Sequence, residues 1–194
     1  MKKTKGEAAP LNPEFVECWA RKAADIAYRL LGLRGTYSIV QIDDPSIEED
    51  GRLNTQTNTI ELNLALLSPF PPESTGSRQF QNEYERLRDE NYRAALKVCY
   101  VVFHEMRHLY QVQVVQAYNA NQMLGSKLVP QPESDKKCML WKAELSCVPS
   151  DGEIETDANE FAYYLTNRYP VKIPMMRTSR RIGAFKRRYD RITL

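Results

Sequence analysis

The 194-residue chain contains only two histidines, His104 and His108, which lie four residues apart with Glu105 directly after the first. This scarcity excludes whole classes of site. One copy of the chain cannot provide three histidine ligands, and no histidine is left over for a separate acid or base. A zinc finger with two cysteines and two histidines would have to use the same close pair. Any chemistry that needs an imidazole must therefore occur at this one place.

Length and composition predict one soluble globular domain, because 42% of the residues are hydrophobic and 27% are charged. No stretch approaches the roughly 18 apolar residues that a membrane span needs, and the first residues lack the apolar run of a secretory signal. We therefore expect a cytoplasmic protein. Its predicted parts are a disordered leader over 1–11, a domain over 12–176 and a basic C-terminal tail or helix over 177–194.

The four cysteines, Cys18, Cys99, Cys138 and Cys147, form no C-x-x-C pair and are too few for a disulfide scaffold in a chain of this length. We therefore expect free thiols. Cys99 precedes His104 by five residues, away from the metal-facing side, and is expected to be buried in a helix.

Hydrophobic periodicity predicts an α+β fold with a small, mostly antiparallel sheet. Asn12 is a suitable N-cap, Pro13 suits the first helical position, and Gly32 ends the first helical pattern. The predicted elements in chain order are this helix, a strand over 37–42, a hairpin over 51–64, a loop over 68–76, a long helical pattern over 79–120 with a break near 89–91, a mixed stretch over 121–150, and a last clear helix over 151–167.

His104, Glu105 and His108 form an H-E-x-x-H motif in the strongest helical pattern of the chain. Residues four apart project from one face of a helix, so both imidazoles can reach one metal ion. Glu105 is displaced around the helix, where its carboxylate can approach a water on the metal without becoming a ligand. The motif predicts a bound divalent metal, with zinc as the best match. A site that binds zinc without catalysing a reaction is the alternative.

A catalytic zinc site needs three protein ligands and one open position. The third ligand cannot be a histidine here, and Gln111 and Val114 stand where a longer motif would continue toward one. A carboxylate suits a site with two histidines, and the place to look is a second helix about 30 to 60 residues further on.

The predicted last helix contains the sequence Glu155-Thr156-Asp157-Ala158-Asn159-Glu160-Phe161-Ala162. Together with the H-E-x-x-H motif it resembles the small gluzincin metallopeptidases of the ImmA/IrrE-like group, which continue with E-x-x-A-(N/D)-x-F-A. The order of elements agrees over about residues 12–167, although only the two motifs are specific. The resemblance implies a zincin-like domain in which Glu155 is the third zinc ligand and Asn159, one turn later, orients a ligand histidine.

A second register of the same helix is open, because Glu153 and Asp157 also form a carboxylate pair four residues apart. Glu155 is preferred as the ligand, since the following Ala158, Phe161 and Ala162 then fall on the core side. The remaining interpretation of Glu155 is a solvated helix carboxylate.

In a peptidase of this kind Glu105 would act as general base and then pass the proton to the leaving amine. No histidine is left to stabilise the oxyanion. Tyr163 and Tyr164 are candidates for that role, and both suit the core equally well. Arg107 stands where families of this kind often have a small or apolar residue, and we expect it to point to solvent.

Residues 177–194 carry seven basic residues against one acidic residue, so residues 1–176 have a net charge of −4. The apolar spacing predicts an amphipathic helix within this tail. The helix could dock on the domain with its basic residues in water, bind nucleic acid or an acidic partner, or lie on a membrane surface. The candidate binding residues are Arg180, Arg181, Lys186, Arg187 and Arg188.

These observations predict a zinc-dependent metallopeptidase. The resemblance implies a narrow protein or peptide substrate, such as a regulatory protein cut at one place. The competing class is a non-catalytic zinc-fold module that binds nucleic acid or a protein partner through the basic tail.

Overall fold

The computed structural model describes residues 11–67, 90–146, 152–169 and 180–189. The predicted loop over 68–76, the first part of the long helical pattern and all of the predicted leader except Leu11 lie outside the described residues. The elements are α1 (Pro13–Leu31), β1 (Ser38–Ile42), β2 (Gly51–Asn54), β3 (Thr59–Asn63), α2 (Glu90–Leu124), α3 (Asp135–Leu145), α4 (Glu153–Thr166) and α5 (Arg180–Tyr189). The predicted α+β class is confirmed.

Helix α1 has the termini that its sequence predicts. The Asn12 side chain accepts a hydrogen bond from the Glu14 amide at 2.9 Å, Pro13 is the first helical residue, and Gly32 ends the helix with a positive φ of 62°. A glycine is favoured there because it adopts this left-handed conformation without a steric penalty. Leu11, assigned to the leader, is partly buried against the core.

The sheet is mixed, whereas a mostly antiparallel one was predicted. Its strand order is β1-β3-β2; β1 runs parallel to β3, and β2 and β3 form the predicted antiparallel hairpin. The chain crosses from β1 to the far edge before β3 returns between them. Ile60 and Leu62 on β3 are fully buried, which is consistent with its central place. Alternation within a strand reveals its buried face but not the direction of its neighbour, so the sequence could not provide this order.

The 35-residue helix α2 is the centre of the fold and packs against both α1 and α4. It is continuous from Glu90 and extends beyond the predicted end at residue 120. Strand β2 lies directly against it, because a Cβ atom on Gly51 would overlap the side chain of Val101. The sheet thus meets α2 less than one turn before His104.

Helix α3 lies in the stretch that was ambiguous in sequence. It begins after Ser134, whose side chain accepts a hydrogen bond from the Lys137 amide at 3.3 Å. Only Cys138 and Trp141 are buried in it, so its sequence shows no continuous apolar face.

The predicted amphipathic helix in the tail exists as α5, and it docks on α4. Phe185 and Tyr189 are buried, and their rings contact Phe161 and Tyr164 with centroid separations between 5.4 and 6.4 Å. Each helix in the described ranges is too short or too polar to span a lipid bilayer.

Candidate metal centre

Helices α2 and α4 bring together three side chains that can ligate a metal. The Nε2 atoms of His104 and His108 are 2.8 Å apart, and the two carboxylate oxygens of Glu155 lie 3.3 Å from His104 Nε2 and 3.2 Å from His108 Nε2. Within the described ranges, these three residues form the group whose ligand atoms could hold one ion. The geometry therefore supports Glu155 over the alternative Glu153 as the carboxylate partner of the histidines.

Hydrogen bonds from neighbouring helices fix the first turns of α4, which carry Glu155. Glu144 on α3 accepts a hydrogen bond from the Ile154 amide at 2.7 Å, which satisfies one of the free amides at the helix N-terminus. One turn after Glu155, Asn159 accepts a hydrogen bond from the Tyr100 hydroxyl at 2.8 Å. Contacts on either side of Glu155 thus hold this turn against α2 and α3.

The donor set fits a small divalent cation. Tetrahedral zinc with bonds of about 2.0–2.1 Å requires ligand atoms about 3.3 Å apart. Each imidazole has one Glu155 oxygen at close to this separation, Oε2 for His104 and Oε1 for His108, and one ligand atom from each of the three residues lies within 4.8 Å of the others. The two imidazoles would have to separate by only about 0.5 Å. The side chains of His104, His108 and Glu155 are 15%, 14% and 32% exposed, so the site is accessible from solvent.

Charge coupling within the cluster shifts two of its pKa values. Burial alone would raise the pKa of Glu155, but hydrogen bonds to His104 and His108 outweigh burial and hold it well below its usual range. Burial alone would lower the pKa of His108, whereas Glu155 and Glu105 raise it to about 9. The carboxylate is thus ionised at neutral pH and ready to act as a ligand.

Glu105 follows His104 on α2 and is buried. Burial raises its pKa, and the negative charges of Glu155 and Asp50 add to this effect against the opposing influence of the two histidines. Asp50 itself pairs with the buried Lys97 at 2.7 Å. A carboxylate with a raised pKa next to a metal site is a stronger base than an exposed glutamate, so it is suited to accept a proton from a water molecule there.

Asn159 was predicted to orient a ligand histidine, but its side chain contacts Tyr100 instead. Its side-chain oxygen accepts from Tyr100, and among the described residues His104 Nδ1 is buried without a hydrogen-bond partner. The residue that contacts a ligand histidine is Gln111, whose Oε1 lies 2.8 Å from His108 Nδ1. In the sequence, Gln111 is notable only as a position without a third histidine. Its spacing of three residues from His108 was the available signal.

The prediction that Arg107 points to solvent is wrong. Its side chain is 0% exposed, and its Nε donates to Asp157 Oδ2 at 2.7 Å. The guanidinium also lies within about 5 Å of the Tyr110, Phe161 and Phe185 rings. Burial is possible because a carboxylate on α4 supplies the opposite charge and aromatic faces surround the rest.

Neither tyrosine considered for the oxyanion is exposed. Tyr163 and Tyr164 are buried, and the Tyr164 ring lies 6.1 Å from Phe185 on α5. Burial raises the pKa of Tyr164 to about 12, so its hydroxyl stays protonated. Tyr164 is thus part of the apolar contact between α4 and α5.

One of the five tail residues proposed for partner binding, Arg188, forms contacts with the domain itself. Arg188 pairs with Glu133 at 2.8 Å and donates to the Tyr110 hydroxyl at 3.1 Å. Arg187 is exposed. The side chains of Arg180, Arg181 and Lys186 lie outside the described residues. The contacts of Arg188 agree with the docked-helix alternative for the tail.

No protein-family model, curated protein or solved structure matches this chain.

Proposed function

We propose that the chain is a zinc-dependent metallopeptidase. The observation that carries the proposal is the convergence of His104 Nε2, His108 Nε2 and the Glu155 carboxylate, with Glu105 next to His104 on the same helix. Two imidazoles and one carboxylate are a ligand set found in catalytic zinc sites, where a fourth position stays open for water or substrate. A zinc ion bound there would polarise a peptide carbonyl and increase the acidity of a water molecule.

The residues of the chain would have two roles, metal binding and proton transfer. His104, His108 and Glu155 would hold the ion, and Glu105 would take the proton from the attacking water. Burial raises the pKa of Glu105, which makes its carboxylate a stronger base toward the attacking water, and the same group would then pass the proton to the leaving amine. This division is that of the ImmA/IrrE-like gluzincins, which the two motifs resemble, and from that resemblance we propose a narrow protein or peptide substrate in the cytoplasm.

The competing proposal is a zinc-fold module without catalysis that binds nucleic acid or a partner through its basic helix. The ion pair between Arg188 and Glu133 weakens it, because this exposed arginine already pairs with a carboxylate of its own chain. Exposed Arg187 remains available to a partner.

Replacement of Glu105 by glutamine separates the two proposals. Glu105→Gln keeps the size of the side chain but cannot accept a proton, so zinc content should be unchanged while cleavage falls by at least about 100-fold. The assay uses quenched fluorescent peptide libraries and mass spectrometry of newly formed N-termini in a protein mixture. Glu17→Gln, at an exposed position of α1, is the matched control and should retain full activity. Equal cleavage by Glu105→Gln and the control would refute the peptidase proposal.

A further inference from the structure

We propose that Gln111 is a positioning residue that holds His108 with its proton on Nδ1 and its Nε2 free to bind a metal. This inference rests on the proposed metal site, which it deepens. Gln111 lies three residues after His108 on α2 and is fully buried. A buried amide is costly unless its polar atoms find partners, and here both ends of the amide have them.

The orientation of the Gln111 amide is determined by its partners on α4. Its Nε2 lies 3.0 Å from the Ile154 carbonyl oxygen and 3.0 Å from Asp157 Oδ2. Both partners only accept hydrogen bonds, because Asp157 is a carboxylate that pairs with Arg107 at 2.7 Å and with Lys137 at 3.3 Å. The reverse orientation would place Oε1 against two other acceptors. The amide nitrogen therefore faces α4, and Oε1 faces His108.

This orientation assigns the tautomer of the neutral His108 ring. Gln111 Oε1 can only accept, so His108 Nδ1 at 2.8 Å must donate. A neutral imidazole has one N–H, so with that proton on Nδ1 the Nε2 lone pair is available to a metal at the point that His108 shares with His104 and Glu155. A proton that Nε2 shares with Glu155 in the zinc-free protein is the one that a metal would displace. His104 differs, because among the described residues its Nδ1 has no hydrogen-bond partner.

Gln111 also connects the ligand histidine to the helix that carries Glu155. Asp157, two residues after Glu155, is held by Arg107 at 2.7 Å and by Lys137 at 3.3 Å. The series from His108 through Gln111 to Asp157 thus spans both helices of the metal site. Partners of this kind on a ligand histidine contribute about 10- to 100-fold to metal affinity.

Two substitutions separate positioning from structural support. Gln111→Met keeps the volume and removes every hydrogen bond, so the His108 tautomer should no longer be held. Gln111→Glu keeps an acceptor for His108 Nδ1 but places a second carboxylate against Asp157, which should lower stability. Gln113→Met is the matched control, because Gln113 lies on the same helix but bonds to the backbone of Arg34 on the other side.

The tautomers are measured by long-range proton–nitrogen NMR of zinc-free protein labelled at histidine nitrogens, at a pH at which both rings are neutral. The chain has two histidines, so two spin systems suffice, and His104→Gln assigns them. Unsubstituted protein, Gln113→Met and Gln111→Glu should show His108 protonated at Nδ1. Gln111→Met should show a substantial Nε2–H population. The zinc affinity of the same proteins is measured by competition with a chromophoric chelator.

We expect Gln111→Met to lose about 10- to 100-fold in zinc affinity, and Gln111→Glu to stay within a factor of about three despite its lower melting temperature. Equal zinc affinities of Gln111→Met and Gln113→Met, or an affinity loss in both Gln111 variants that follows their stability, would overturn the inference. A neutral His108 ring protonated at Nε2 in the unsubstituted protein would also overturn the inference. This test remains available if Gln111→Met does not fold.

Absence of zinc binding in the unsubstituted protein would refute the metal site, whereas the zinc-free tautomers would still decide the role of Gln111. Zinc binding without peptide cleavage would refute the peptidase alone.

Discussion

Arg107 and Asp157 form an ion pair between α2 and α4 in which neither side chain is exposed to solvent, with Nε and Oδ2 2.7 Å apart. Arg107 directly precedes His108, and Asp157 follows Glu155 by two residues. The pair therefore joins the two helices beside the metal ligands. Removal of one member would leave a buried charge without its main partner.

The first prediction concerns the arginine of this pair. Arg107→Met should lower the free energy of unfolding by about 3 kcal/mol, at the lower end for a broken buried pair because Lys137 still contacts Asp157. Chemical denaturation of zinc-free protein measures the loss. Arg21→Met removes a pair on the surface, where the arginine side chain is 72% exposed, and should change stability by less than about 0.5 kcal/mol. Similar losses in both variants would contradict the importance of the buried pair.

The second prediction is the acid sensitivity of Asp157. Burial would raise its pKa, but Arg107 outweighs burial and lowers the pKa from 3.8 to about 2. A carboxylate with a lowered pKa stabilises the fold above its unfolded-state pKa, and this contribution is lost as the pH falls through the folded-state value. The stability difference between the unsubstituted protein and Asp157→Asn should thus shrink by about 2 kcal/mol between pH 5 and pH 2. A difference that stays constant in urea titrations across this range would argue against the assignment.

The third prediction distinguishes the two glutamates at the start of α4. Glu155→Ala should remove a metal ligand, so the protein should contain little zinc after dialysis against a weak chelator. Glu153→Ala should keep one zinc per chain, because Glu153 is outside the group of ligand atoms. Elemental analysis of the purified proteins provides the test. Full zinc occupancy in Glu155→Ala would overturn the ligand assignment.

The fourth prediction concerns the docked C-terminal helix. Phe185 is buried against Phe161 and near the Arg107 guanidinium, so Phe185→Ala should cost about 3 kcal/mol of stability. Arg187→Ala on the exposed side should cost less than about 0.5 kcal/mol. Thermal unfolding of the two variants measures the contrast. A small effect of Phe185→Ala would mean that α5 contributes little to the domain.

Local sequence signals were sufficient for several elements. Asn12, Pro13 and Gly32 determine the ends of α1 because capping depends only on neighbouring backbone groups. The i, i+4 spacing placed His104 and His108 side by side because any α-helix has that geometry. The position of Glu155 required a resemblance to a motif as well, because 47 residues separate it from His108.

The sequence by itself thus determined the helix caps, the hairpin and the paired histidines, all of which depend on residues a few positions apart. Tertiary structure decided the central place of β3, the burial of Arg107 and the orientation of the Gln111 amide toward His108. A charged or amide side chain is buried only when a partner compensates for its lost hydration, and here that partner, Asp157, lies 46 and 50 residues away along the chain. Such a pairing cannot be predicted from neighbouring residues, because the partners come into contact only when α2 and α4 pack together.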